Sequence, residues 1–175
     1  TDSDIGSGIA VDNSNNIVVS GEFKGSSTFG TTTLTSQNAS TDVFITKLNP
    51  GGSFAWTQQG SGDQTDRGID VGCDGSGNIY TVGSFSDTFS FDVVHNNQMF
   101  NAVYVAKFNS AGVEQWFKII GGGVSVFAYA MDVRTNGDVF IGGDFSGNLI
   151  FYNSSNTTLT NTYDNGIFVA KYNSS

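Results

Sequence analysis

With 38% hydrophobic and 13% aromatic side chains, the 175 residues have enough apolar material to close a packed core, which excludes a disordered acidic tail. The balance of 16 acidic against 7 basic residues leaves a net charge of −9 and a pI near 4.1, which repels phosphate backbones and argues against nucleic acid as a partner. No apolar run approaches the roughly 20 residues that span a bilayer, so no membrane insertion is expected, and the single cysteine, Cys73, rules out an internal disulfide.

In chain order, Gly8-Ile-Ala-Val-Asp12 leads through Asn13–Asn16 into Ile17-Val-Val-Ser-Gly-Glu-Phe23. β-Branched residues bounded by Asn and Gly turn chemistry predict a hairpin. A Thr- and Ser-rich stretch from Gly30 to Thr41 reads as a surface loop. Asp42-Val-Phe-Ile-Thr-Lys-Leu-Asn49 predicts a third strand, and after the turn at Asn49–Gly52, Phe54-Ala-Trp56 starts a fourth. A glycine-rich connector from Gly60 to Gly68 follows.

The same order then returns. Gly68–Val71 and Ile79–Phe85 flank the turn Cys73–Asn78, a variable stretch runs from Asp92 to Asn101, and Ala102-Val-Tyr-Val-Ala-Lys-Phe-Asn109 precedes a strand containing Trp116. After a connector at Gly121–Gly123, a third copy pairs Ala130–Val133 with Val139–Phe145. It varies from Tyr152 to Asn165 and ends on Gly166-Ile-Phe-Val-Ala-Lys-Tyr-Asn173, before any Trp strand. Lys47, Lys107 and Lys171, three of the five lysines, occupy one register, 60 and then 64 residues apart. In each copy a second aromatic follows the first by six positions, as Phe23 and Phe29, Phe85 and Phe91, and Phe145 and Phe151.

Four strands in about 60 residues, repeated in tandem, predict an all-β β-propeller built of four-stranded antiparallel blades. The expected blades are residues 1–61, 62–122 and 123–175, the last without its outer strand. Three blades do not close a ring, so the expectation is an incomplete propeller whose partners are further blades of a longer chain or a partner chain.

The strings Gly-Ile-Ala-Val-Asp, Asn-Ile-Val-Val-Ser-Gly-Glu-Phe, Asp-Val-Phe-Ile-Thr-Lys-Leu-Asn, Gly-Gly-Ser-Phe-Ala-Trp and Gly-Ser-Gly-Asp resemble SBBP-type β-propeller repeats of bacterial exported proteins. The resemblance covers nearly the whole chain. It implies a secreted or cell-surface protein of the kind that Bacteroidota export by the type IX route, and it carries no catalytic motif.

Side chains for catalysis are sparse. His95, the one histidine, lies in a variable stretch without counterparts and reads as a surface residue; Cys73 sits in a hairpin turn without a histidine beside it in sequence. A non-catalytic surface, adhesion or assembly scaffold for proteins or cell-surface polymers is therefore expected, with a carbohydrate-binding propeller as the alternative. Candidate ligand-binding residues are Glu22, Asp70, Asp132 and Asp144, with Asp70 and Asp132 read as sharing one register of the first strand and Glu22 and Asp144 one register of the second. Trp56 and Trp116 are candidates for stacking on sugar rings, against a packing role between blades. No cofactor is expected. Calcium is the one ion considered, because Asp12–Asn16 and Asp74–Asn78 resemble fragments of calcium loops, although each lacks the distal glutamate. The repeated lysines are expected to lie along a sheet face and meet a carboxylate or carbonyl at their tips.

Overall fold

The computed structural model describes residues 3–96, 101–122, 125–152, 156–161 and 165–174. Parts of the connector at Gly121–Gly123 and of the second and third variable stretches lie outside the described residues. The chain is all-β and its strand pairs are antiparallel, as the alternating patterns predict. Its strands are β1 (Ile5–Val11), β2 (Ile17–Lys24), β3 (Ser26–Phe29), β4 (Thr32–Thr35), β5 (Thr41–Leu48) and β6 (Phe54–Gly60). The second copy supplies β7 (Arg67–Cys73), β8 (Ile79–Phe85), β9 (Thr88–Ser90), β10 (Val94–Asn96), β11 (Ala102–Phe108) and β12 (Glu114–Gly121). The third supplies β13 (Ser125–Val133), β14 (Val139–Ser146), β15 (Asn148–Tyr152), β16 (Thr157–Thr160) and β17 (Gly166–Tyr172).

Sheet orders are β1-β2-β5-β6 in the first copy and β7-β8-β11-β12 in the second, with β13-β14-β17 in the third. The variable stretches are not the plain loops expected. Each carries the second strand of a two-stranded hairpin, β3–β4, β9–β10 or β15–β16, whose first strand lies just before it. The hairpin of one copy also reaches back to the outer strand of the copy before it. Phe151 and Ile150 of β15 pair with Ile120 and Gly121 of β12, joining the hairpin to the second sheet, and Ser90 bridges to Ser61 just beyond β6. The outer strands would otherwise leave backbone groups unpaired, and these bridges satisfy part of that demand.

The sheets stack face on face. The forward face of the first sheet presents Val18, Val43 and Ile45, and the back face of the second presents Val71, Ile79, Tyr104, Ala106 and Phe108, all within one buried cluster. The second junction repeats the pattern, with Tyr80, Val82, Val103, Val105 and Ile120 against Val139, Ile141, Phe168 and Ala170. Fully burying a side chain of this size contributes about 1.5–3 kcal/mol, so these two interfaces are the main source of stability.

One local device recurs in every copy. The first strand has a bulge, at Gly6/Gly8, Gly68/Asp70 and Ala128/Ala130, and the second strand has a glycine opposite that region, Gly21, Gly83 or Gly143. The third strand then places an aromatic ring across from the glycine: Phe44, Tyr104 or Phe168. A Cβ at any of these glycines would run into that ring and into a first-strand carbonyl oxygen, from Ile5, Arg67 or Phe127. The second aromatic of each spaced pair covers the same ring, with centroids 4.8 Å apart for Phe29–Phe44, 5.7 Å for Phe91–Tyr104 and 6.1 Å for Phe151–Phe168. The six-residue spacing read from the sequence is thus the spacing that brings the hairpin's aromatic over the notch.

Adjacent glycines in β14 test this account. Gly143→Ala forces a methyl into the Phe127 carbonyl and the Phe168 ring, whereas a Cβ at Gly142 meets nothing within 4 Å. Urea unfolding is expected to show a loss of at least about 2 kcal/mol for Gly143→Ala, the scale of an overpacked core, and no loss for Gly142→Ala. Equal effects would contradict the notch.

Candidate functional site

The junction between the first two sheets gathers the polar residues of both. Asp12 opens the β1–β2 turn, and its Oδ1 accepts hydrogen bonds from the Ser14 and Asn16 backbone N–H groups at 2.9 Å each. Its Oδ2 accepts from Asn16 Nδ2 at 2.8 Å and pairs with Lys47 Nζ at 3.0 Å, with both charged side chains buried. Burial alone would raise the Asp12 carboxyl, but the bonds from Asn16, Lys47 and Ser14 outweigh it and bring it down to about 2. Removing one partner of a buried pair typically costs about 3–5 kcal/mol, so Lys47 holds structure.

Lys47 faces Trp56 across β5 and β6, and both reach into the next copy: Lys47 Nζ donates to the Ser110 carbonyl at 3.4 Å and Trp56 Nε1 donates to it at 3.2 Å. The indole lies where a Cβ on Gly112 would strike it at 2.9 Å, and Gly112 has φ +84°, so glycine is required there twice over. Beside this contact is an open cavity of about 480 Å³, lined by Asp12, Asn13, Asn49, Trp56 and Gly75 among others.

At the second junction, Lys107 Nζ donates to the Ser174 carbonyl and lies 5.5 Å from the Tyr80 ring centroid. Trp116 packs edge-on to Tyr80 and tilted against Tyr172. Lys171 pairs with Asp138 at 2.7 Å near the Phe140 ring. All three repeated lysines therefore meet a carboxylate or carbonyl, and both tryptophans are half-buried in contact with the following copy.

The four candidate carboxylates do not form one site. Glu22 pairs with Arg67 at 3.5 Å, Asp144 accepts from the Tyr129 hydroxyl at 3.0 Å, and Asp132 lies exposed 3.7 Å from Arg134. Asp70 accepts from the Met131 N–H at 2.9 Å and so ties the second copy to the third. The expected shared register of Asp70 and Asp132 does not hold. Val82 lies opposite Asp70 and Phe140 opposite Asp132; counted from the start of the second strand, these positions are two residues apart. Glu22 and Asp144 do share a register, opposite Val43 and Ile167 on the third strand. Among the described residues, no three His, Cys, Asp or Glu side chains converge in an arrangement that could hold a metal.

In the turn that resembled a second calcium fragment, the Asp74 carboxylate accepts from the Ser76 and Asn78 N–H groups, Asn78 Nδ2 and the Tyr80 hydroxyl. Burial works against its ionisation, yet these bonds hold its carboxyl below the usual range. Asp12 and Asp74 are the polar centres of their turns, a role that the Asp-x-Ser-x-Asn pattern encodes.

His95 is not a free surface residue. Its ring stacks on Phe117 with centroids 3.8 Å apart, and its Nε2 lies 2.9 Å from Glu114 Oε1. Cys73 is half-buried, and burial, followed by the Asp12 charge, pushes its thiol up to about 11, which leaves it protonated and unreactive at neutral pH.

The functional reading of the composition overlooked a second buried acidic group. Asp42 and Asp66 are both fully buried at the start of β5 and in the connector before β7. Asp42 accepts from Gln59 Nε2 at 2.7 Å and from the Gln37 N–H at 3.1 Å. Burial, reinforced by the Asp42 charge, pushes the Asp66 carboxyl up to about 8, against the pull of the Ser86 and Gly62 N–H groups. Comparison with known proteins returns no matching family model and no matching curated protein, so function is read from this geometry.

Asp66 gives a pH prediction. Its folded carboxyl titrates near 8 and the unfolded one near about 3.9, so folding holds a proton that the unfolded chain releases. That stabilisation is complete below pH ~4 and is lost as pH rises through about 8. Thermal melts between pH 5 and 9 are expected to show a decline that Asp66→Asn largely removes. An unchanged decline in the variant would contradict the assignment.

Proposed function

We propose that the chain is a propeller-type module of three blades that acts outside the cell as a non-catalytic scaffold, engaging proteins or surface polymers. The observation that carries this reading is the graded packing of the copies. The first strand of the second copy approaches the inner strands of the first so closely that a Cβ on Gly8 of β1 would sit 2.8 Å from the Asp70 Cα, and one on Gly68 would sit 2.7 Å from the carbonyl oxygen of Gly21 in β2. At the outer strands, the gap between copies takes an additional hairpin, as β15 on β12. Sheets close at one edge and wedged apart at the other support a reading as blades about an axis. The resemblance to SBBP repeats of exported proteins supports the same class and the extracellular setting. Further blades, in the same polypeptide or a partner chain, belong to this reading.

The polar cavity favours carbohydrate as a second reading. Its charged groups, Asp12 and Lys47, are already paired, which leaves an indole edge and amide side chains to meet a neutral polyol.

A glycan array run beside protein and polymer ligands, with hydrolase and lyase assays on the same sample, tests both. The expected result is saturable binding without turnover, unaffected by His95→Ala or Cys73→Ser. Turnover abolished by either substitution would overturn the non-catalytic reading. Binding confined to glycans and lost on Trp56→Ala, with folding retained, would select the second reading.

A further inference from the structure

The two junctions between copies differ at the residue facing the repeated lysine. Tyr80 stands opposite Lys107 in the second sheet, where the first sheet has Val18 opposite Lys47. The Tyr80 hydroxyl donates to Asp74 Oδ2 at 3.0 Å and comes so near the turn of the third copy that a Cβ on Gly137 would meet it at 2.7 Å. Val18 is too short to reach across. Gly77 holds the matching place in the first junction, and a Cβ there would find only Ser110 Cβ, at 3.9 Å. The space left is the open cavity of about 480 Å³ beside Trp56. That volume falls within the range of about 300–1,000 Å³ usual for small-molecule sites.

Four turns wall this cavity, β1–β2 and β5–β6 from the first copy and β7–β8 and β11–β12 from the second. The hydroxyls of Ser14, Ser76 and Ser110 line it, and none meets a protein partner among the described residues. Asn13 and Asn49 spend only their amide N–H groups, on the Gly75 carbonyl and the Ser53 hydroxyl, and each leaves its side-chain carbonyl oxygen unpaired. In the second copy the matching Asn109 uses that oxygen to accept from the Ala111 and Val113 N–H groups, at 3.0 Å each. The groups left open therefore include both donors and acceptors, and all are uncharged. A cation entering the cavity would meet the Lys47 ammonium, and an anion would meet the Asp12 carboxylate and the amide oxygens. The hydroxyls of a sugar ring both donate and accept, and its C–H groups suit the indole edge of Trp56.

We propose that this cavity is a single saccharide subsite, specific for an uncharged pyranose unit and shared between the first two copies. The proposal rests on the carbohydrate reading given above and narrows it. The sugar contacts turns of both copies at once, with the serine hydroxyls and the Asn13 and Asn49 oxygens on its hydroxyl groups. Uronic acids and sulfated or phosphorylated sugars are rejected, because no unpaired cation faces them. The second junction, with Tyr80 in the corresponding space, is not a site, so the repeat does not bind one sugar per copy.

The whole chain is titrated with uncharged di- to tetrasaccharides of glucose, mannose or galactose, with the matching uronic acid oligosaccharides as the charged arm. Calorimetry reads the stoichiometry, and amide chemical shifts read the location. Saturable one-to-one binding of an uncharged sugar is expected, with shifts at Ser14, Ser76 and Ser110 and none in the turn Arg134–Asp138. The uronic acids should bind roughly tenfold more weakly or not at all. Ser76→Lys, which brings a charge into the cavity, and Asn49→Leu, which removes an open acceptor, should each weaken binding by about tenfold. Both positions are exposed. If a variant does not fold, the shift map of the unaltered chain decides. Binding that survives both substitutions in folded protein, prefers uronic acids, reaches a second equivalent or maps to the second junction would overturn this subsite and leave the carbohydrate reading standing. No binding of any uncharged sugar by the folded chain would overturn both.

Discussion

The fold depends on a glycine in the second strand of every copy. At Gly21, Gly83 and Gly143 the missing Cβ lets a ring from the third strand lie flat on the backbone, against the bulged first strand. In the second and third copies that ring, Tyr104 or Phe168, packs in the cluster shared with the preceding sheet, and in every copy it receives an aromatic from its own hairpin. With the ring held down, Val43, Ile45, Val103 and Val105 pack wholly buried against the following sheet. The repeat is thus a repeat of interfaces as much as of strands, and no sheet buries both faces by itself.

Polar contacts then fix how the sheets stack. Lys47 and Trp56 converge on one carbonyl of the next copy, Asp70 receives a backbone N–H from Met131, and Asn13 Nδ2 donates to the Gly75 carbonyl at 3.0 Å. Each ties one copy to the next by a directional bond, which apolar burial alone cannot do. The ionised groups spent on this task, Asp12 and Lys47 above all, are unavailable for chemistry.

Much of this was legible in the sequence. Strand order, the lysine register and the paired aromatics were visible because they rest on local alternation and fixed spacing. The end of each repeated lysine at a carboxylate or carbonyl also followed, because a long amphipathic side chain on an apolar strand has few other places to put its charge. The hairpins were hidden because their second strands, such as β4 and β16, are Thr-rich and form by pairing with the strand just before them, β3 or β15. The offset between Asp70 and Asp132 was hidden for a different reason. The two copies differ in length between the first-strand motif and the second strand, with Gly72 and Cys73 following Val71 before the turn, so equal motifs stand two positions out of register. His95 drew attention as a lone polar residue, and only the stack on Phe117 reveals its packing role.

Native-state hydrogen exchange in increasing urea addresses the central claim, that the sheets are stabilised mutually through their faces. If each sheet needs its neighbour, the most protected amides of β5, β8 and β11 exchange through one common opening whose urea dependence matches global unfolding. Separate openings for the first and second sheets, each with a smaller urea dependence, would contradict it and would mean that each sheet is stable alone.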